Sequence, residues 1–253
     1  MALPDYPLFF WFCAVFVALL IGIDKSGFGG GIGVISTPLI ALSVPVAEAA
    51  ALILPILIFG DILAVKHYYQ KADRRNLALL LPCLTVGIII GAFFFRYFAD
   101  NKRILNVGIA IISLAFVLFQ LTRERIFKSL EHSRTSTALG ILLGITAGFT
   151  STIAHVGGPL MVIYLLPQRL AKDVYVGTNA ILFFTTNIIK LIPYALLGLL
   201  RPANLTTVLI LLPFTWIGTQ IGRYLNQRFS NLWFNRALYL LLTLTAIQLL
   251  FRR

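Results

Sequence analysis

Residues 27–38 read Gly-Phe-Gly-Gly-Gly-Ile-Gly-Val-Ile-Ser-Thr-Pro, and residues 148–159 read Gly-Phe-Thr-Ser-Thr-Ile-Ala-His-Val-Gly-Gly-Pro. Both stretches open on Gly-Phe and reach a proline eleven residues later, and both interrupt an apolar run. Glycine lets a backbone leave the helical path and lets a second backbone approach closely. Irregular backbone at membrane depth survives only where protein buries it or a watery cavity bathes it. Two such interruptions in one chain point to a duplicated unit whose helices break where a site is needed.

The match continues downstream in the same order. Pro82, Gly87 and Gly91 correspond to Pro213, Gly218 and Gly222, a P-x4-G-x3-G pattern in each half. Asp61 and Tyr68 correspond to Asn187 and Tyr194, each pair seven residues apart. The apolar segments fall at about 7–23, 32–42, 46–69, 77–97 and 104–121, then at about 136–150, 158–166, 173–198, 204–224 and 233–251. The third to fifth of each set are long enough to span a bilayer. The second has only some ten residues, or about 15 Å of helix against a hydrocarbon core of about 30 Å. The predicted fold is an all-α membrane protein of two inverted-topology repeats, each a broken or re-entrant short helix pair plus three long transmembrane helices. Residues 1–253 form one transmembrane domain, with repeat 1 at about 7–121, a cytoplasmic linker at about 122–135 and repeat 2 at about 136–251.

Composition excludes the other broad classes. The 253 residues are 59% hydrophobic and 12% charged, with a mean hydropathy of +0.91. A soluble domain carries about 25% charged residues, and half that fraction cannot cover a surface facing water. The net charge of +12 does not mark a nucleic-acid binder, because Lys and Arg collect between the apolar runs. If each broken pair returns to the side it left, thirteen of those interhelical Lys and Arg fall on one face and six on the other; if each pair crosses, the split is eleven to eight. The positive-inside rule favours the first arrangement, with antiparallel halves and both termini outside. The first apolar run has no basic residue before it and no small-residue cleavage site after it, so it is expected to be a mature helix. Cys13 and Cys83 both lie inside apolar runs and are expected to be packed thiols. Trp11, Tyr97, Tyr224 and Trp233 sit near segment ends, as an aromatic belt requires.

Candidate binding residues follow from the breaks and from the charges inside apolar runs. A short helix opening after a Gly-rich stretch points its free N–H groups and positive dipole end at the cavity. Backbone from Gly29, Gly30, Gly31 and Gly33 in one half, and from Gly157, Gly158 and Pro159 in the other, is therefore expected to seat an anion. A charge at the bilayer centre costs about 2.5–3.5 kcal/mol on insertion scales, so Lys25 and Lys190 are expected to face a cavity or a partner. Asp61 either pairs with a lysine or carries a coupling proton, and Asp24 is a second candidate for coupling unless it simply pairs with Lys25. His155 and Asn187 are expected to donate hydrogen bonds, and Thr178 and Asn179 to line the path. Glu48 and Lys66 stand near segment ends and are expected to snorkel. No second histidine stands near His155 and the cysteines are remote, so no metal site is expected. A Ser151–His155 hydrolytic pair would need both on one helix face, and 150–158 is expected to be non-helical, which removes it. No catalytic residue and no cofactor are expected.

Lys25-Ser26-Gly27-Phe28-Gly29-Gly30-Gly31, Gly60-Asp61 followed by Lys66-His67-Tyr68-Tyr69, and the run from Ala154 to Tyr194 resemble the TauE/SafE sulfite-exporter family. The most specific part runs from His155-Val156-Gly157-Gly158-Pro159, through Tyr164-Leu165-Leu166 and Val176-Gly177-Thr178, to Asn187-Ile188-Ile189-Lys190. The resemblance covers nearly the whole chain. It implies two related helical halves and transport of sulfur-bearing anions such as sulfite, sulfoacetate or thiosulfate.

The function expected from these observations is a secondary transporter of a small anion. It works by alternating access in a bacterial cytoplasmic (inner) membrane, in the direction of export, with a small anionic solute and membrane lipid as partners. No nucleotide-binding motif is present, so ion or potential gradients are expected to drive it. The rival classes are an anion channel and a non-transporting scaffold or assembly subunit. The paired breaks speak against the scaffold, which has little use for two matched interruptions.

Overall fold

The computed structural model describes residues 6–25, 32–98, 101–130, 135–228 and 232–251. Gly29, Gly30 and Gly31 lie outside the described residues, so the seat expected of their backbone has no structural account here. Every regular element among the described residues is helical. The first five helices are α1 (Leu8–Ile23), α2 (Ser36–Ala41, after a 3-10 turn at Ile32–Ile35), α3 (Val46–Tyr68), α4 (Arg74–Phe98) and α5 (Lys102–Leu130). The second five are α6 (Thr137–Ala154), α7 (Gly158–Leu165), α8 (Lys172–Leu196), α9 (Pro202–Arg228) and α10 (Leu232–Phe251). Among the described residues, six helices are long and apolar enough to cross a membrane, namely α3, α4, α5, α6, α8 and α9. The chain is an all-α, multi-pass membrane protein.

Two boundaries differ from the expected ones. α5 runs on to Leu130, because Thr122–Leu130 is rich in Arg, Glu and Lys, which propagate a helix beyond its apolar stretch. α6 continues through Thr150–Ala154 instead of ending at 150. Its hydroxyls bond back into the helix, Thr150 to the Thr146 carbonyl at 2.9 Å and Thr152 to the Gly148 carbonyl at 2.9 Å. The helix stops at His155, which adopts the left-handed conformation at φ 57° while its N–H closes on the Ser151 carbonyl at 3.1 Å. The start of α6 is capped by Ser136, whose hydroxyl accepts the Leu139 N–H at 3.2 Å.

The helices pair across the two halves of the chain. α1 lies on α9, α6 on α4, α3 on α8, and α5 on α10. Glycines set the two closest crossings. A Cβ at Gly22 would collide with the Thr215 carbonyl and stand 2.7 Å from the Thr219 nitrogen and 2.8 Å from the Gly218 carbonyl carbon. A Cβ at Gly87 would collide with the Ile145 carbonyl and stand 2.8 Å from the Phe149 nitrogen, with Gly148 alongside. Gly87 and Gly218 are the glycines matched by the P-x4-G-x3-G pattern. Their absent side chains let helix backbones touch, the usual basis of close packing where water does not drive helices together. Pro82 and Pro213, the matched prolines, both sit inside their helices.

Polar contacts identify which segments share an end of the bundle. The Tyr6 hydroxyl donates to Glu48 at 2.6 Å and lies 3.3 Å from the Asn204 side-chain oxygen. The starts of α1, α3 and α9 therefore meet at one end, and Glu48 is a hydrogen-bond partner there rather than a snorkelling charge. Burial and the Glu48 carboxylate push the Tyr6 phenol up from its ordinary pKa. At the other end Lys71 reaches Asp173 at 2.6 Å, the Asn76 amide donates to Gln168 at 2.8 Å, and the Asp73 N–H donates to the Thr178 hydroxyl at 2.8 Å. Outward-facing apolar side chains on α4, α5 and α8, such as Phe93, Leu118 and Ile192, are exposed, as lipid-facing positions are.

Candidate functional site

A cavity of about 320 Å³ lies among α1, α3, α6 and α8. α8 supplies its longest wall, with Lys172, Tyr175, Val176, Asn179, Ala180, Phe183 and Asn187 on one face at helical spacing. α3 contributes Leu57, Asp61 and Ala64, and Val34 closes one side. The residues following or ending α1 and α6 bring in Asp24, Lys25, Ser151 and His155, and α7 begins there at Gly158. Lys172 and Tyr175 carry the wall to the start of α8, the end of the bundle that holds the Lys71–Asp173 pair.

Two polar clusters border this space. In the first, the fully buried Asp61 accepts Lys25 on one carboxylate oxygen and the Asn187 amide, at 2.6 Å, on the other. The Lys25 side chain fits against α3 because residue 60 is glycine, where a Cβ would stand 3.0 Å from Lys25 Cγ. Its ammonium also lies 5.1 Å from the centre of the Phe183 ring, within cation–π range. Lys25 thus pairs with Asp61 across the fold and not with its neighbour Asp24.

The second cluster surrounds Lys190, which is fully buried. Its ammonium contacts the Ser151 carbonyl at 3.2 Å, the Ser151 hydroxyl oxygen at 3.1 Å and His155 Nδ1 at 2.9 Å. An ammonium has three donors and no acceptor, so these contacts use all three protons, and Nδ1 must be an acceptor. The imidazole proton then sits on Nε2, which faces the Ala50 carbonyl at 3.0 Å. This tautomer is assigned from the network of partners. Both His155 nitrogens are engaged with protein atoms, so the ring does not offer the donor expected of it. Ser151 is helical, contrary to expectation, yet it bonds to Lys190 and no Ser–His nucleophilic pair forms. No carboxylate lies within ion-pair distance of Lys190 among the described residues.

The expected site residues therefore divide. Asp24, Lys25, Asp61, His155, Gly158, Asn179 and Asn187 line the cavity. Lys190 stands behind its wall. Gly157 and Pro159 lie at the start of α7 without lining the space, and Gly33 is in the 3-10 turn beside the lining residue Val34. Thr178 is buried and clamps the chain ahead of α4, accepting from Asp73 and donating to the Val174 carbonyl at 2.7 Å. Asn179 lines the cavity, but its carboxamide oxygen is buried with no partner, which leaves the amide nitrogen as the group it can turn to the space. Sequence reasoning weighed Ser151 only as half of a hydrolytic pair, and it missed Lys172, Tyr175 and Phe183. The last two were detectable, because they share a helical face with Asn179 and Asn187.

No curated protein and no solved structure shows significant similarity to this chain. A family model described as Sulfite exporter TauE/SafE matches residues 14–249, which includes every residue that lines the cavity. The chain belongs to the TauE/SafE sulfite exporter family, a family of membrane transporters.

Proposed function

We propose that this protein is a secondary transporter of small sulfur-bearing anions such as sulfite, thiosulfate or sulfoacetate. It works by alternating access and exports its substrate across a bacterial cytoplasmic membrane. One observation carries this reading: a cavity among the helices, lined by Lys25 and Lys172 and backed by the buried Lys190, which has no carboxylate within ion-pair distance among the described residues. A buried, incompletely compensated ammonium is costly, and an anion entering the cavity lowers that cost. Lys25 supplies charge beside Asp61, and the amides of Asn179 and Asn187 supply donors. Family membership favours the sulfur-bearing class over other anions.

The two halves are proposed to be inverted repeats. Their helices exchange partners in a pattern unchanged by swapping the halves, α1 on α9 matching α6 on α4. The cavity reaches the end where Lys71 and Asp173 meet, which the positive-inside rule assigns to the cytoplasm, so the conformation is inward-facing. An inside-negative potential favours anion efflux by about 2.3 kcal/mol per charge per 100 mV, so export needs no tightly bound coupling ion. A scaffold has no use for a cavity that gathers Lys25, Asp61, Asn179 and Asn187 among its helices.

The test is thermal stabilisation of the purified protein in detergent with sulfite, sulfate, thiosulfate, sulfoacetate, taurine and chloride. A ligand at a hundred times its Kd stabilises the folded state by about 2.7 kcal/mol. A selective rise with a sulfur oxyanion is expected, with matching counterflow in proteoliposomes. Stabilisation by none of the six, together with no counterflow, would remove the anion reading.

A further inference from the structure

Lys190 contributes charge to the cavity wall but does not line the cavity, and its three protons are committed to Ser151 and His155. His155 lines the space, but both of its nitrogens are committed as well. Ser151, like His155, touches both Lys190 and the cavity, but its hydroxyl keeps a proton to give. Its hydroxyl oxygen receives the ammonium at 3.1 Å, and the residue is among those lining the space. A hydroxyl has one donor and two acceptor sites. One acceptor site faces Lys190, and among the described residues no bond to a protein acceptor uses the hydroxyl proton. Donation from a cation into a hydroxyl oxygen polarises the O–H and strengthens the bond it makes in turn.

We propose that Ser151 is a substrate-contact residue, donating its hydroxyl proton to an oxygen of the bound anion, and that Lys190 acts on the anion through it. This rests on the anion-transport reading given above. Lys190 is then a positioning residue: it fixes the hydroxyl's direction and holds His155 in one tautomer, without touching substrate. The backbone around Ser151 is closely packed. A Cβ at Gly157 would stand 3.1 Å from Ser151 Cβ, so only glycine at 157 leaves the serine undisturbed.

The experiment measures anion affinity calorimetrically on the full chain in detergent, with sulfite, thiosulfate and sulfoacetate as probes, for the wild type and for Ser151→Ala. The expected result is about a ten- to hundredfold loss of affinity, the scale of one charge-assisted hydrogen bond. Unchanged affinity overturns the proposal. A second measurement separates contact from mere support of Lys190. Ser151→Cys, made with Cys13→Ala and Cys83→Ala, is exposed to a small anionic methanethiosulfonate. Labelling that slows when the tightest-binding probe is added supports the contact, and labelling indifferent to that probe, or absent, overturns it. If the wild type binds none of the three probes, the transport reading fails first and this inference falls with it, which is distinguishable from loss in the variant alone.

Discussion

On the duplication proposed above, the cluster at the end of α1 and the cluster at the end of α6 occupy corresponding places, and their chemistry differs. A shift of 126 residues carries Gly22 onto Gly148, Lys25 onto Ser151 and Asp61 onto Asn187. Gly22 and Gly148 make the same kind of crossing, each backed by the glycine of a P-x4-G-x3-G pattern. Asp61 and Asn187 bond to one another at 2.6 Å, as two equivalent residues flanking a two-fold axis can. The first half carries an ion pair, Lys25 with Asp61; the second carries a serine, an amide and a lysine with no carboxylate in ion-pair reach among the described residues. On the duplication proposed above, the halves share their packing and divide the charge, and the division is what favours an anion between them.

The largest effects are expected where the comparison is purely steric. Gly22→Ala and Gly87→Ala each drive a methyl group into helix backbone, which no rotamer change relieves. Both should cost about 3 kcal/mol or more and strongly reduce recovery of folded protein on size-exclusion chromatography. Equal losses match the two crossings; tolerance at one site alone would break the equivalence.

The next effect tests the axis pair. Asp61→Ala leaves Lys25 without its carboxylate in a buried place and should cost about 3–5 kcal/mol, read as a lowered thermal midpoint. The double swap of Asp61→Asn with Asn187→Asp keeps one carboxylate between the two lysines and should recover most of that loss. Failure to recover would mean that the two positions are not interchangeable and that the chemistry of each half depends on more than its place on the axis.

Much of this comparison was legible in the sequence. The paired Gly-rich stretches, the matched prolines and the Asp61–Asn187 correspondence located the clusters before any coordinates. The register was less legible. Pairing Gly27-Phe28 with Gly148-Phe149 implies a shift of 121, whereas the crossing glycines Gly22 and Gly148 give 126, because packing reads the residue facing the partner helix and not the dipeptide that looks alike. The helical end of α6 was hidden too, since Thr150 and Thr152 satisfy themselves by bonding backwards, a choice that composition does not announce. Burial decided the rest. Lys25 and Lys190 look equivalent as charges in apolar runs, but one reaches the cavity and the other is walled off by Ser151 and His155.

The smallest expected effect sharpens the comparison at the start of α8. Thr178 accepts the Asp73 N–H, which fastens the chain ahead of α4 to α8; 126 residues earlier stands Leu52, which has no hydroxyl to do the same. Thr178→Val gives the second half the apolar character of the first at nearly constant volume. One hydrogen bond is lost near a helix start, for about 1 kcal/mol, or a fall of about 2–4 °C in the thermal midpoint. Sulfite or thiosulfate affinity should stay within about twofold, because Thr178 is fully buried away from the cavity. A larger loss of affinity with an unchanged midpoint would instead make Thr178 part of the anion path and lengthen the second half's polar wall beyond Asn179.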